Sequence, residues 1–264
     1  MSFRSQFLHL DSANATQLPD TNNSSGVTST PYKANYKLNQ VFTKIKRVYL
    51  NSVELPIGFT NIRKGSTDVV TFILNGTTYS ITLTEKNYTT VASLITDINT
   101  AITALAIPSI TVTLALTSST SNPNRLLINF TGTVTTFSIV DTNLSKYILG
   151  FRAGKDALVG SVYSASTANY NLNPDNYIVM YVPTLNAMNA SMSNQLSTYK
   201  IPLNSVNNQV FFYVEEGSFR QWVDITDSGL TLSNLTVILY DKYGKDLNPN
   251  NLDFSFTMCL ELWD

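Results

Sequence analysis

Strict alternation of apolar and polar positions recurs along this chain and predicts β-strands. The clearest run lies at residues 252–263, where Phe254, Phe256, Met258, Leu260 and Leu262 share one face and Ser, Thr, Cys and Glu lie between them. Alternation of this kind is typical of a strand with one face on a core. Similar runs predict further strands at residues 31–38, 41–55, 162–170, 177–184, 198–203, 209–215 and 235–242.

The pattern changes in the middle of the chain. Residues 68–75 and 77–84 alternate on either side of Asn75-Gly76, which is a strong hairpin signal. Apolar residues then recur at helical spacing over residues 91–105, with Thr89 or Thr90 as the candidate N-cap. The central segment therefore begins with a predicted hairpin and a predicted amphipathic helix.

The second half of this segment returns to strands. Runs at 110–117, 125–130 and 134–140 predict three strands, and residues 141–149 predict a short helix that Asp141 caps and Gly150 ends. Residues 65–155 are thus predicted to form a small α+β lobe. Its expected core comprises Ile95, Ile98, Ile102, Val112 and Leu114.

About eight predicted strands remain outside the lobe, the number found in a jelly-roll sandwich. The predicted fold is mainly β: a single eight-stranded jelly roll made of residues 31–64 and 156–264. The lobe at 65–155 is an insertion between the second and third of these strands. Insertions of this kind are tolerated in loops and often carry function.

Residues 1–30 differ from the rest of the chain in composition. Residues 11–30 are polar and rich in turn formers, so they cannot bury enough apolar surface to offset the loss of chain entropy. We interpret residues 1–30 as a flexible arm with an apolar tip formed by Phe3, Phe7, Leu8 and Leu10. The alternative for the tip is an edge strand on the chain's own sheet.

Composition argues against an enzyme. Charged residues make up 13% of the chain, against roughly 25% in an average soluble domain. His9 is the single His, which excludes a Ser-His-Asp triad or a multi-His metal site within one chain. Glu215 and Glu216 are adjacent, but neighbouring residues on a strand point to opposite faces. We predict no catalytic site and no cofactor.

Other candidate sites have simpler interpretations. Asp241, Asp246 and Asp253 flank turns, and Asp is an ordinary turn former. No calcium loop or Gly-rich phosphate loop is present, so no metal site is predicted. Cys259 lies within the alternating run and is expected to be a buried, inert thiol.

Charge also limits the partners. The net charge is −1 and the pI is about 5.8, which gives no electrostatic signature of nucleic-acid binding. A basic cluster is formed by Lys44, Lys46 and Arg47. It is interpreted either as part of a solvated or partner-facing strand or as a phosphate-binding patch.

We expect no signal peptide and no membrane span. Since a free monomer usually has a more charged surface, other chains are expected to cover much of this one.

Five segments are informative when they are taken together: residues 50–62 (LNSVELPIGFTNI), 86–90 (KNYTT) with the following helix, 145–151 (SKYILGF), 232–244 (LSNLTVILYDKYG) and 251–258 (NLDFSFTM). In this order they resemble segments of capsid proteins from nucleocytoplasmic large DNA viruses and virophages. The resemblance is to single jelly-roll penton or minor capsid proteins. It implies a structural virion protein, assembled in an infected host cell, that forms pentamers at icosahedral vertices beside the major capsid protein.

Two further functions stay open at this stage: a minor capsid protein beneath the shell, and a fibre-head or carbohydrate-binding module. The candidate partner-binding residues are those of the N-terminal tip. They are Phe3, Arg4, Phe7, Leu8, His9 and Leu10. The expected partners are further copies of the chain, the major capsid protein and other minor capsid proteins.

Overall fold

The chain divides into two units, which we call the sandwich and the lobe. In the computed structural model the sandwich comprises Met1–Phe59 and Asp175–Asp264, and the lobe comprises Thr60–Pro174. The structure describes residues 3–17, 33–117, 123–154, 158–159, 162–164, 168–173, 175–188, 198–203, 209–214, 222–225, 231–247 and 252–263.

The described residues form seventeen strands and two α-helices. In the first part of the sandwich these are β1 (Phe3–Asp11), β2 (Thr16–Gln17), β3 (Lys33–Thr43) and β4 (Ile45–Pro56). The lobe contains β5 (Val69–Leu74), β6 (Thr77–Thr82), α1 (Val91–Ala104), β7 (Thr111–Leu116), β8 (Leu126–Thr131), β9 (Phe137–Ile139), β10 (Leu158–Val159) and β11 (Val162–Ser164). The sandwich resumes with β12 (Tyr177–Tyr181), α2 (Pro183–Met188), β13 (Thr198–Pro202), β14 (Val210–Val214), β15 (Trp222–Asp224), β16 (Thr231–Tyr240) and β17 (Ser255–Trp263).

The sandwich has the strand order of a jelly roll. Sheet I runs β1-β17-β4-β14, with β15 also paired to β4, and sheet II runs β13-β12-β16-β3-β2. Every pairing in the two sheets is antiparallel. Without the short strands β2 and β15, eight strands remain, and numbered along the chain their orders are 1-8-3-6 and 5-4-7-2. This double sheet confirms the predicted fold class.

The sandwich core lies between the two sheets. As predicted, alternate residues of β17 point into it, and Phe256, Met258, Leu260 and Leu262 are all buried. Phe256 meets Tyr36 of sheet II edge-to-face, with ring centroids 5.4 Å apart, a favoured aromatic geometry. Inward residues from both sheets therefore form one continuous apolar layer.

Two of the eight jelly-roll strands are not those expected from the sequence: β1 belongs to the jelly roll, and residues 162–164 do not. β1 pairs with β17 over its whole length, from Phe3 opposite Trp263 to Asp11 opposite Ser255. Residues 162–164, expected in the sandwich, pair instead with β8 of the lobe. The lobe consequently lies between the third and fourth jelly-roll strands, not the second and third.

The start and the end of the lobe are held together by a buried Asn. The Asn61 side chain donates from Nδ2 to the carbonyl oxygens of Tyr88 (2.8 Å) and Leu172 (2.9 Å), and its Oδ1 accepts from the Tyr88 N–H (2.9 Å). The lobe runs from residue 60 to residue 174, beyond the expected 65–155 at both ends.

Local signals within the lobe are confirmed. Asn75 and Gly76 both have positive φ (49° and 81°) and join β5 to β6. Thr90 caps α1, its Oγ1 accepting from the Ser93 N–H at 3.3 Å. Most of the predicted core is buried on α1 and β7: Ile98, Ile102, Val112 and Leu114 are buried and Ile95 is partly buried.

The second lobe helix is shorter than expected and is capped differently. It is a single π-helical turn over Leu144–Ile148. Asp141 does not cap it, because its Oδ1 accepts from the Ala153 N–H (2.7 Å). Thr142 and Ser145 bond reciprocally instead: Thr142 N–H donates to Ser145 Oγ (2.8 Å) and Ser145 N–H to Thr142 Oγ1 (3.0 Å).

Gly150 ends this turn and carries a testable prediction. Its φ is +81°, and a Cβ there would lie 2.7 Å from the Ala168 carbonyl oxygen and 2.9 Å from that of Asn169. Gly150→Ala is expected to destabilise the lobe by roughly 2–4 kcal/mol in urea unfolding monitored by circular dichroism. Gly65→Ala is the control, because Gly65 also has positive φ (+71°) but has no atom within 4 Å of such a Cβ. Equal losses for the two variants would contradict the steric explanation.

Candidate interaction surfaces

Sheet I has β1 at one edge, and β14 with the short strand β15 beside it at the opposite edge. Within the described residues no further strand pairs beyond either of them. An end strand presents unpaired backbone N–H and C=O groups, which makes it a natural template for pairing with another chain. These two edges are therefore the surfaces of the sandwich to consider first.

The candidate residues of the N-terminal tip are divided between the two faces of β1. Leu8 and Leu10 point inward and pack partly buried against the sandwich core. Phe3 and Phe7 point outward with 44% and 61% of their surface exposed, and Arg4 is exposed as well. Phe3–Asp11 are thus the edge strand that the sequence left open as an alternative, and Thr16–Gln17 pair with β3 of sheet II. Residues 18–30 lie outside the described residues.

Contacts on the outer face hold β1 in place. The Phe3 and Trp263 rings lie 4.8 Å apart, and Lys46 Nζ lies 4.1 Å from the first ring centroid and 4.5 Å from the second. His9 Nδ1 lies 3.0 Å from Thr257 Oγ1 on the neighbouring strand. His9 is therefore a cross-strand contact residue within its own sheet.

The basic cluster also meets groups of its own chain. Arg47 Nε lies 2.6 Å from Asp224 Oδ1, and its guanidinium lies 5.6 Å from the Trp222 ring. Lys46 contacts aromatic rings as described above. These contacts fit a strand-surface role for Lys46 and Arg47.

A narrow groove separates β1 from β3 at the open side of the sandwich. Its volume is about 200 Å³, below the roughly 300–1,000 Å³ of small-molecule sites. Its lining residues are Phe7, Leu8, His9, Leu10, Lys37, Leu38, Asn39, Gln40 and Phe42. A groove of this size accommodates one or two side chains of a partner. It brings together four of the six candidate tip residues.

The second surface, β14, was missed by sequence reasoning. Its outward residues Val210, Phe212 and Val214 are 68%, 58% and 40% exposed. Phe211 is buried and Tyr213 packs against the core. The available signal was the run Val-Phe-Phe-Tyr-Val, which has no polar residue on either face. Such a strand is apolar on its solvent side as well as on its core side.

Two of the acidic candidates accept hydrogen bonds, Asp241 within a turn and Asp253 from the segment that follows β1. Asp241 Oδ1 accepts from the N–H groups of Tyr243 (2.8 Å) and Lys245 (3.0 Å). Asp253 Oδ1 accepts from Ser12 Oγ (3.0 Å), next to the end of β1. Glu215 and Glu216 lie outside the described residues. Among the described residues no group of three or more His, Cys, Asp or Glu side chains is arranged to hold a metal ion.

In one polar cluster of the lobe, the pKa values of Tyr88 and Asp97 are shifted from their usual ranges. Tyr88 Oη donates to Asp97 Oδ2 at 2.6 Å, and Lys86 Nζ lies 3.2 Å from the same oxygen. Burial and the Asp97 carboxylate raise the pKa of Tyr88 well above its usual range. The hydrogen bond from Tyr88, helped by Lys86, lowers the pKa of Asp97. Such a cluster fixes the middle of α1, at Asp97, to the segment that precedes the helix, which is a structural role.

Two further findings concern the described chain as a whole. Cys259 is buried, as expected from the sequence. None of the helices in the described residues has the length and apolar character needed to cross a bilayer.

The fold defines the chain as a single jelly-roll protein with an inserted α+β lobe. Two solved structures are similar to it. One is the crystal structure of the mavirus penton protein, with a TM-score of 0.47 and 12% identity over 98% of this chain and 100% of that chain. The other is a chain of the Sputnik virophage solved by cryo-EM, with a TM-score of 0.37 and 11% identity over 96% and 97%. No family model matches the chain, and no curated protein matches it.

Proposed function

We propose that this chain is a structural virion protein, a penton capsomer that closes icosahedral vertices as a pentamer. The observation that carries the proposal is a single jelly roll whose sheet I ends in two different strands, β1 and β14, each with large apolar side chains exposed. A subunit of a closed ring contacts its two neighbours through two different surfaces. The two end strands supply such a pair of surfaces.

Composition and sequence support the same role. The low charged fraction, 13%, suits a surface that other chains cover. The quoted segments resemble single jelly-roll capsid proteins, and the fold they imply is the fold observed. The proposed location is the virion capsid, the proposed partners are further copies of the chain and the major capsid protein, and the proposed role is non-enzymatic.

Assembly of the intact chain tests the proposal. Native mass spectrometry of the purified chain is expected to show a pentamer, and a particle map is expected to show the chain at the five-fold vertices. A chain that stays monomeric at high concentration, or that occupies no vertex, would contradict the penton assignment.

A point variant on β1 tests whether that edge contacts a neighbour in the shell. Phe7→Ser is expected to lower incorporation into particles about ten-fold, since burying an aromatic ring contributes on the order of 1.5 kcal/mol or more. Val41→Ser is the matched control, because Val41 is equally exposed at 61% but lies on β3 of sheet II. Equal incorporation of the two variants would show that β1 makes no such contact.

A further inference from the structure

We infer that β14 of one copy pairs with β1 of the next copy, so that sheet I continues from subunit to subunit around the ring. This inference rests on the proposed pentamer and names its interface. Four observations on the two edges support it.

The first observation is that, within its five described residues, β14 has none of the charges, Pro residues or bulges that usually protect an end strand. Natural end strands are blunted by charges, Pro, bulges or a covering segment. The five residues of β14 include no charge and no Pro, and its register with β4 is regular from Val210 opposite Pro56 to Val214 opposite Ser52. A regular, apolar end strand of this kind accepts an added strand through its backbone.

The second observation is that β1 offers a matching edge. It is nine residues long, so it can cover the five residues of β14. Its outward residues Phe3 and Phe7 would lie on the same sheet face as Val210 and Phe212 of the neighbour. Aromatic and β-branched residues are favourable partners across strands.

The third observation is charge, which selects β1 over a second β14. Glu54 is exposed and lies directly opposite Phe212, so the β14 edge carries a negative charge on its outer face. Lys46 lies over the Phe3 ring, so the β1 edge carries a positive charge on the same face. Pairing β14 with β14 would place two Glu54 side chains on one sheet face, about three strand spacings (~14 Å) apart, whereas pairing β14 with β1 places Glu54 on the same face as Lys46, about two strand spacings (~10 Å) from β1.

The fourth observation is area. The five outward side chains of the two strands offer roughly 500 Å² of apolar surface, well below the ~1,600 Å² that a stable pairwise contact buries. One such contact makes a weak dimer. Ring closure lets every copy make the contact twice, and the last contact forms within the assembly at high effective concentration. The expected species are therefore monomers and closed rings, with little dimer.

Cysteine cross-linking of the full chain tests the pairing. Ser5 and Phe212 are both exposed on the outer face, and the native Cys259 is buried and serves as an unreactive background. Ser5→Cys and Phe212→Cys are combined in one chain and treated with a bifunctional maleimide that spans ~10 Å, enough for opposite and diagonal neighbours. The expected result is a ladder of covalent species that ends at the ring. Phe212→Cys with Val41→Cys is the control and is expected to stay as single chains.

Each outcome of the cross-linking has a defined meaning. A covalent dimer from Phe212→Cys alone would show that β14 pairs with itself and would overturn the inference. Rings in native mass spectrometry without any ladder from the double variant would overturn the inference and leave the pentamer intact. A wild-type chain that forms no ring would overturn both.

Discussion

Removal of residues 1–17 is expected to destabilise the sandwich by roughly 2–4 kcal/mol, because the deletion exposes β17 and removes two partly buried Leu side chains. If residues 1–17 were a flexible arm, their removal would leave the stability of the sandwich unchanged. β1 is the first strand of the jelly roll and pairs with β17 over nine residues. Its Leu8 and Leu10 pack against the core.

Tryptophan fluorescence during urea unfolding measures this effect selectively. The two Trp residues, Trp222 and Trp263, both lie in the sandwich, so the signal does not report the lobe. Two point variants serve as controls: Leu10→Ala is expected to lose about 1–2 kcal/mol, and the exposed Phe7→Ala less than about 0.5 kcal/mol. An unchanged unfolding midpoint for the truncated chain would show that β1 contributes nothing to the fold.

Excision of residues 60–174 is expected to remove one complete unfolding transition and to leave the sandwich folded. The two units have separate buried clusters. Asn61 holds the start of the lobe 2.9 Å from the Leu172 carbonyl near its end, so a short Gly/Ser linker can replace the whole segment at a small cost in chain entropy. The calorimetric enthalpy is expected to fall by roughly 80 kcal/mol, at about 0.7 kcal/mol per residue removed.

The same tryptophan signal supplies the control for the excision. The shortened chain is expected to keep a cooperative fluorescence transition, and residues 60–174 expressed alone are expected to show a cooperative transition by circular dichroism. If the shortened chain lacks a transition under conditions in which the full chain is folded, the sandwich depends on the lobe and the two units are not independent.

The elements that sequence reasoning predicted well depend on neighbouring residues alone. Asn75-Gly76 needs positive φ at two successive positions, which these two residues tolerate. Thr90 caps α1 through a hydrogen bond to a residue three positions away. The alternation in β17 shows directly which of its faces meets the core. Each of these features is a local consequence of side-chain type and spacing.

The candidate surfaces depended on pairing between distant segments. Alternation at residues 162–164 predicts a strand but not its partner, and the partner is β8 in the lobe. The polar stretch after Asp11 suggested that residues 1–30 were free, whereas Phe3–Asp11 aligns with a strand about 250 positions later in the chain. β14 was predicted as a strand, but its exposure at Val210 and Phe212 follows from its place at the end of sheet I.

The amino-acid sequence by itself determined the mainly β class, the inserted α+β segment, the local turns and caps, and the scarcity of groups for catalysis. The tertiary structure decided which strands form the jelly roll, where the lobe begins and ends, and which apolar residues stay exposed at the edges of sheet I. The physical reason is that hydrogen-bond ladders join residues far apart in the chain. A strand's own pattern shows how it alternates, and only its neighbours decide which edge is left unpaired.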